Sequence, residues 1–199
     1  MEIYKDKALI VNTKNPNLIL SSIPKSRVLK SYENGVSQVV VNWGIDEVIT
    51  LSKLVKWPPS PITKDYKWPG IYKPFNHQKE TADFLSAHKR AYCLSEAVTG
   101  KTSGVIWAAD YLMEQGKIKR MLVVCPLSIM KAAWEADLFK TAMHRTVAIA
   151  HGSAEKRKKI LAQNTDIVVI NYDGIEVVRK ELKEGKFDLI VVDEANYIK

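Results

Sequence analysis

Two cysteines in 199 residues, with no Cys/His group at zinc-ligand spacing, leave this chain without a disulfide framework or a metal knot. Cys93 and Cys125 each sit in an apolar run and read as buried thiols in strands, which suits a reducing compartment. No apolar run approaches the roughly 20 residues that span a bilayer, so no membrane anchor is expected. The first residues, Met1-Glu2-Ile3-Tyr4-Lys5-Asp6-Lys7, lack the basic-then-apolar order of a secretion signal. No internal repeat is found. Acidic side chains are in deficit, 22 against 30 Lys/Arg, for a net charge of +8. The excess is densest at the N-terminal end, where residues 1–74 carry 11 Lys/Arg and 6 Asp/Glu. A polyanionic partner and simple solubility both account for such a surplus. Apolar residues make up 46% of the chain, enough for a core and against global disorder.

The pattern changes twice along the chain. Residues 1–56 read as a small strand-rich domain. Ala8-Leu9-Ile10-Val11 and Leu18-Ile19-Leu20 are short apolar runs. Two strands flank Glu33-Asn34-Gly35, and Asn-Gly between alternating strands predicts a hairpin. Asp46 is placed to cap a helix through Val55, with Val48, Leu51 and Val55 on one face. Residues 57–74 hold five of the eight prolines and read as a stiff linker whose two tryptophans pack it onto a neighbour. From residue 75 helices and strands alternate, which predicts an α/β fold with a mostly parallel sheet. Strands are expected near 91–94, 121–125, 146–150, 167–170 and 188–192. Helices are expected near 76–88, 101–115, 129–141, 154–163 and 174–184. Gly116 stands where a C-terminal cap belongs and Ser153 where an N-cap belongs.

Two segments carry chemistry. Ser95-Glu96-Ala97-Val98-Thr99-Gly100-Lys101-Thr102 follows one predicted strand and opens a helix, the context of a phosphate-binding loop. Backbone N–H groups from Ala97 to Ser103 and the Lys101 ammonium suit phosphate oxygens, and the Thr102 hydroxyl suits Mg²⁺. Ser95 and Val98 stand where small residues are usual. A β-branched residue tolerates positive φ poorly, so Val98 implies a strained or reshaped loop. Near the end, Ile190-Val191-Val192 leads into Asp193-Glu194, one carboxylate for the metal's shell and one to orient water. Together they imply a nucleoside triphosphate with Mg²⁺. No Asn-Lys-x-Asp guanine-reading motif occurs, which disfavours a GTPase switch.

From Phe75 to Lys199 the chain resembles the first RecA-like lobe of a superfamily-two helicase of the Swi/Snf-type translocase group, phage-encoded members in particular. The resemblance implies a RecA-like P-loop NTPase lobe over 75–199, truncated, preceded by a small α+β domain. In Phe75-Asn76-His77-Gln78 it makes Gln78 the reader of adenine, hence ATP. It puts Cys125-Pro126-Leu127-Ser128, with Trp134, against a nucleic-acid backbone through Ser128. It puts Asn171-Tyr172-Asp173-Gly174 on the nucleic-acid side through Tyr172. Asp193-Glu194-Ala195-Asn196 matches an Asp-Glu-x-His box in which Asn196 replaces the coupling histidine.

The implied catalytic residues are Lys101 and Glu194, with Thr102 and Asp193 for the metal. The implied partner is DNA, with RNA left open, and the expected location is the cytoplasm, that of a bacterial host if the chain is phage-encoded. Lys156-Arg157-Lys158-Lys159 opens a helix, where positive charge is unfavourable by roughly 0.3–1 kcal/mol per residue. That run serves either as a phosphate contact or as a solvated face. The second RecA-like lobe, with its arginine fingers, is missing from these residues, so the fragment alone is expected to hydrolyse ATP poorly. The alternative is a nucleic-acid-binding module with a degenerate ATPase site.

Overall fold

The computed structural model describes residues 1–94 and 99–195. Its contacts divide the chain into two units, one of residues 1–67 with 79–94, the other of 68–78 with 95–199.

In the first unit, strands β1 (Glu2–Tyr4), β2 (Ala8–Thr13), β3 (Arg27–Ser31) and β4 (Ser37–Asn42) form an antiparallel sheet in the order β1-β2-β4-β3. The expected hairpin joins β3 to β4, with Gly35 at φ +78° and the Asn34 side chain accepting from the Val36 N–H. Leu18-Ile19-Leu20, a short apolar run in the part read as strand-rich, lies in helix α1 (Pro16–Ser22). Pro16 supplies a helix-ready φ at the first turn, and Ile19 and Ile23 turn into the core while Leu18 stays exposed. Helix α2 (Ile45–Leu51) buries Val48 and Leu51 against Leu9, Val11, Val39 and Val41. The proline-rich stretch contains a short helix, α3 (Ile62–Asp65), and is tied down just ahead of it. The Trp43 indole N–H donates to the Pro59 carbonyl, and fully buried Ser60 bonds Asp83 and Ser86.

Asp83 and Ser86 lie on helix α4 (Asn76–Ala87), which begins in the second unit. The remaining helices are α5 (Lys101–Glu114), α6 (Ala136–Thr141), α7 (Ala154–Leu161), α8 (Tyr172–Val177) and α9 (Arg179–Glu184), with a π-helical turn (Met130–Glu135) before α6. The expected helix at 174–184 is thus two pieces, broken at buried Val178, whose φ of −129° is not helical.

Strands β5 (Met121–Cys125), β6 (Val147–Ala150), β7 (Ile167–Asn171) and β8 (Leu189–Val192) form a wholly parallel sheet in the order β6-β7-β5-β8. Every residue of β5 and β7 is buried, as a sheet covered on both faces requires. One face packs Ile106 and Ala109 of α5 with Trp134 and Leu138; the other packs Leu161, Val178 and Leu182. The α/β architecture with a parallel sheet, and an antiparallel sheet in the N-terminal part, is therefore present. One expected strand is not. Residues 91–94 are irregular, Tyr92 and Leu94 are exposed, and Cys93 is only half-buried. An apolar run becomes a strand only where a ladder accepts it, and the sheet's β8 pairs with β5 alone among the described residues.

Burial pushes the Asp83 carboxyl up to about 6, against the Ser60 N–H and nearby His88, which favour the anion, and with Glu80, which opposes it. Its proton is held more tightly folded than unfolded, so this contribution to stability is complete below about pH 4. It is lost as the pH rises through about 6. Thermal melts from pH 4 to 7 should show this slope in the wild type. Asp83→Asn, which keeps an acceptor for Ser60, should flatten it and raise the pH 7 midpoint.

Candidate nucleotide and nucleic-acid site

The register of the parallel sheet brings four loops to its carboxyl edge, where sheets of this kind take ligands. Cys125 pairs with Asn171, Ala150 with Ile170 and Val124 with Val192. The segments starting at Pro126, His151, Tyr172 and Asp193 therefore leave the sheet on one side. The second unit is thus an α/β lobe in which the segments carrying Ser128, Tyr172 and Asp193-Glu194 leave the sheet at one edge.

Gly100 precedes α5 in the left-handed conformation, φ 72° and ψ 34°, and as a glycine it has no side chain with which to cap the helix. No acidic residue lies in the first turn, so its N–H groups present a positive end to an anion. Lys101, Thr102 and Ser103 occupy that turn, and Ser103 Oγ accepts a long 3.5 Å bond from Thr141 on α6. The segment read as adenine-facing docks on the same loop. His77 Nε2 donates to the Thr99 carbonyl at 2.9 Å, and Gln78 Nε2 to the Gly100 carbonyl at 3.4 Å. Gln78 Oε1 in turn accepts from the Phe75 N–H, and the Phe75 ring stacks on His77 with centroids 5.7 Å apart. A Cβ on Gly100 would collide with the Gln78 amide, so glycine is required both for φ and for this approach. Ala97 and Val98 lie outside the described residues, as do Ser95 and Asn196.

The acidic pair is held from several directions. The Asp193 N–H continues the sheet by donating to the Val124 carbonyl at 2.9 Å. Asp193 Oδ2 accepts from the indole N–H of buried Trp134 at 2.9 Å, and Oδ1 from the Glu194 N–H. Glu194 adopts φ +56°, unusual for a side chain of its kind, while the Tyr172 hydroxyl donates to the carbonyls of Asp193 and Glu194. Burial, then the Asp193 charge, pushes the Cys125 thiol up to about 12, so it serves as packing beneath the pair rather than as a nucleophile. Burial likewise raises the Tyr172 phenol, with Asp193, Cys125 and Glu194 adding to it, which keeps the hydroxyl a donor.

The residues read as nucleic-acid-facing separate into exposed and internal ones. Ser128 is exposed after β5. In the basic run Lys156 and Lys159 are exposed, and Lys158 pairs with Glu181 at 3.2 Å. Arg157 turns inward, buried, to donate to the carbonyls of Ala150 and Gly152 and to Asn171 Oδ1. Ser153 does cap α7, accepting from the Lys156 N–H. Contacts that bring Trp134 onto Asp193 and His77 onto Thr99 have no signature in the sequence.

With this geometry in view, the comparisons with known proteins are specific. The model of the SNF2-related domain matches residues 77–199, and the chain belongs to that family. Among solved structures it is similar to the "Sulfolobus solfataricus SWI2/SNF2 ATPase core in complex with dsDNA", at 29% identity and a TM-score of 0.56. That match covers 66% of this chain and 28% of the other. None of the curated proteins matches. No helix among the described residues is long and apolar enough to cross a membrane.

Two substitutions test the geometry. Gly100→Ala should cost about 1–2 kcal/mol from the left-handed backbone alone, read by urea unfolding. Arg157→Met should cost about 2 kcal/mol or more by stranding buried acceptors, whereas Lys156→Met, one residue away and exposed, should stay within about 0.5 kcal/mol.

Proposed function

We propose that residues 75–199 form the ATP-binding lobe of an ATP-dependent DNA translocase or helicase, in which Mg-ATP hydrolysis drives movement along DNA. The single observation that carries this reading is the start of α5 at Gly100-Lys101-Thr102, with no acidic residue in its first turn, in the same α/β unit as a carboxylate pair at the sheet's carboxyl edge. The donor set fits the ligand. Backbone N–H groups and an ammonium suit polyphosphate oxygens, and a hydroxyl with a carboxylate suits a hard divalent cation.

In this mechanism Lys101 would hold the terminal phosphates, and Thr102 with Asp193 would hold Mg²⁺, whose charge would offset that of the phosphate oxygens. Glu194 orients the attacking water. The stacked Phe75 and His77 with Gln78 form the side on which adenine is read. Ser128, Lys156 and Lys159 are the residues proposed to meet a nucleic-acid backbone, with Arg157 and Tyr172 supporting the loops that carry them. Residues 57–74 are proposed to connect an N-terminal accessory domain to this lobe. Coupling hydrolysis to movement calls for a second lobe, and an arginine supplied in this way is worth about 10³–10⁵ in rate in related NTPases. Residues 1–199 alone are therefore proposed to bind nucleotide and turn it over poorly.

A second reading, a nucleic-acid-binding module with a degenerate ATPase, draws on the irregular backbone at 91–94, where a strand was expected to lead into the phosphate loop. One titration separates them. Mg-ATP binding, measured by calorimetry with and without duplex DNA, should be present in the wild type and lost in Lys101→Ala. Unchanged affinity in Lys101→Ala, or salt-dependent DNA binding by a protein indifferent to Mg-ATP, would favour the module.

A further inference from the structure

The acidic pair receives side-chain donors from two other helical segments. Trp134 is 1% exposed and sits in the π-helical turn that follows the Pro126–Ser128 segment. A π turn offsets side chains from ordinary helical spacing and is common at functional sites. Here it accompanies an indole N–H aimed at Asp193 Oδ2. A buried indole has one donor and needs one acceptor, so this bond fixes the carboxylate rotamer as much as it satisfies the ring. The second donor is the Tyr172 hydroxyl, 2.6 Å from the Asp193 carbonyl and 3.3 Å from that of Glu194. These two bonds bracket the peptide that leads into Glu194, whose positive φ is held against its own preference. Tyr172 is anchored in turn through its neighbour Asn171, whose Oδ1 accepts from buried Arg157.

We propose that Trp134 and Tyr172 are positioning residues for the Mg²⁺-binding carboxylates. Trp134 sets the direction of the Asp193 carboxylate, and Tyr172 holds the Glu194 backbone in its left-handed turn. Because they sit in the helical segments that follow β5 and β7, a nucleic acid that shifts either segment moves the acidic pair through them. This supplies a coupling path that does not require a histidine at position 196. It rests on the Mg-ATP reading of the same carboxylates.

The test has two arms. In the first, with no nucleotide present, the Trp134 indole ¹H–¹⁵N resonance is identified as the one missing from Trp134→Phe. Asp193→Ala should then move that resonance upfield and speed its hydrogen exchange by about tenfold or more; an unmoved, equally protected resonance overturns the proposal. In the second, the Mg²⁺ concentration giving half-maximal binding of a fluorescent ATP analogue is measured. It should rise by about 3- to 10-fold in Trp134→Phe and in Tyr172→Phe, as loss of a ligand's supporting bond predicts. Binding in EDTA should be unchanged in both. Equal Mg²⁺ midpoints, or equal losses with and without Mg²⁺, overturn it. A wild type that binds no analogue overturns the Mg-ATP reading instead, while the indole arm decides the hold on Asp193 in either case.

Discussion

The ladder on either side of β5 is the constraint on which the second unit depends. Its five residues are buried, and it is bonded to β7 on one side and β8 on the other. Registry with β7 sets where Tyr172 and helix α8 emerge, and registry with β8 sets where Asp193 emerges. The bond from the Asp193 N–H to the Val124 carbonyl extends that ladder one residue into the acidic pair. A slip by one residue would turn every side chain to the opposite face and take the carboxylate with it. Hydrophobic burial thus fixes an electrostatic site, because the loops inherit their positions from strands that have no freedom to shift.

Polar groups beneath the carboxyl edge follow the same logic. Arg157 could extend into solvent with its basic neighbours but spends its donors on two carbonyls and Asn171. A guanidinium has a fixed fork of donors, so it joins the loop after β6 to the end of β7 more rigidly than a lysine would. At the amino edge Arg120 does the equivalent work, donating to the carbonyls of Leu161, Gln163, Thr165 and Gly185 over the Phe187 ring. Buried Asp110 gathers His144 and Arg145, joining α5 to the loop after α6. The sheet is braced by charge at both ends, which leaves Lys156 and Lys159 as solvent-facing members of their run.

Much of this fold was legible in the sequence, for a definite reason. Strands buried on both faces must be continuous apolar runs, and 121–125, 146–150, 167–170 and 188–192 stand out between amphipathic helices. The same signal failed at 91–94, because an apolar run records only that burial is affordable, not that a neighbouring strand has a free edge in register. At 18–20 the type of element was not legible, because three apolar residues have no measurable period, and Pro16 decided for a helix. The motif residues could be named from their order, yet their partners could not. Trp134 and Asp193 are 59 positions apart, and no local pattern records that an indole meets a carboxylate across that distance. Nor does a run of four basic residues reveal that its second member turns inward.

The proposed activity depends on Asp193 serving a divalent cation bound with nucleotide at α5. The direct measurement is ATP affinity by calorimetry, with Mg²⁺ and with EDTA, for the wild type and for Asp193→Asn. Mg²⁺ should tighten binding in the wild type, and Asp193→Asn should lose this gain while keeping its metal-free affinity. Identical Mg²⁺ dependence in the two proteins would contradict that role.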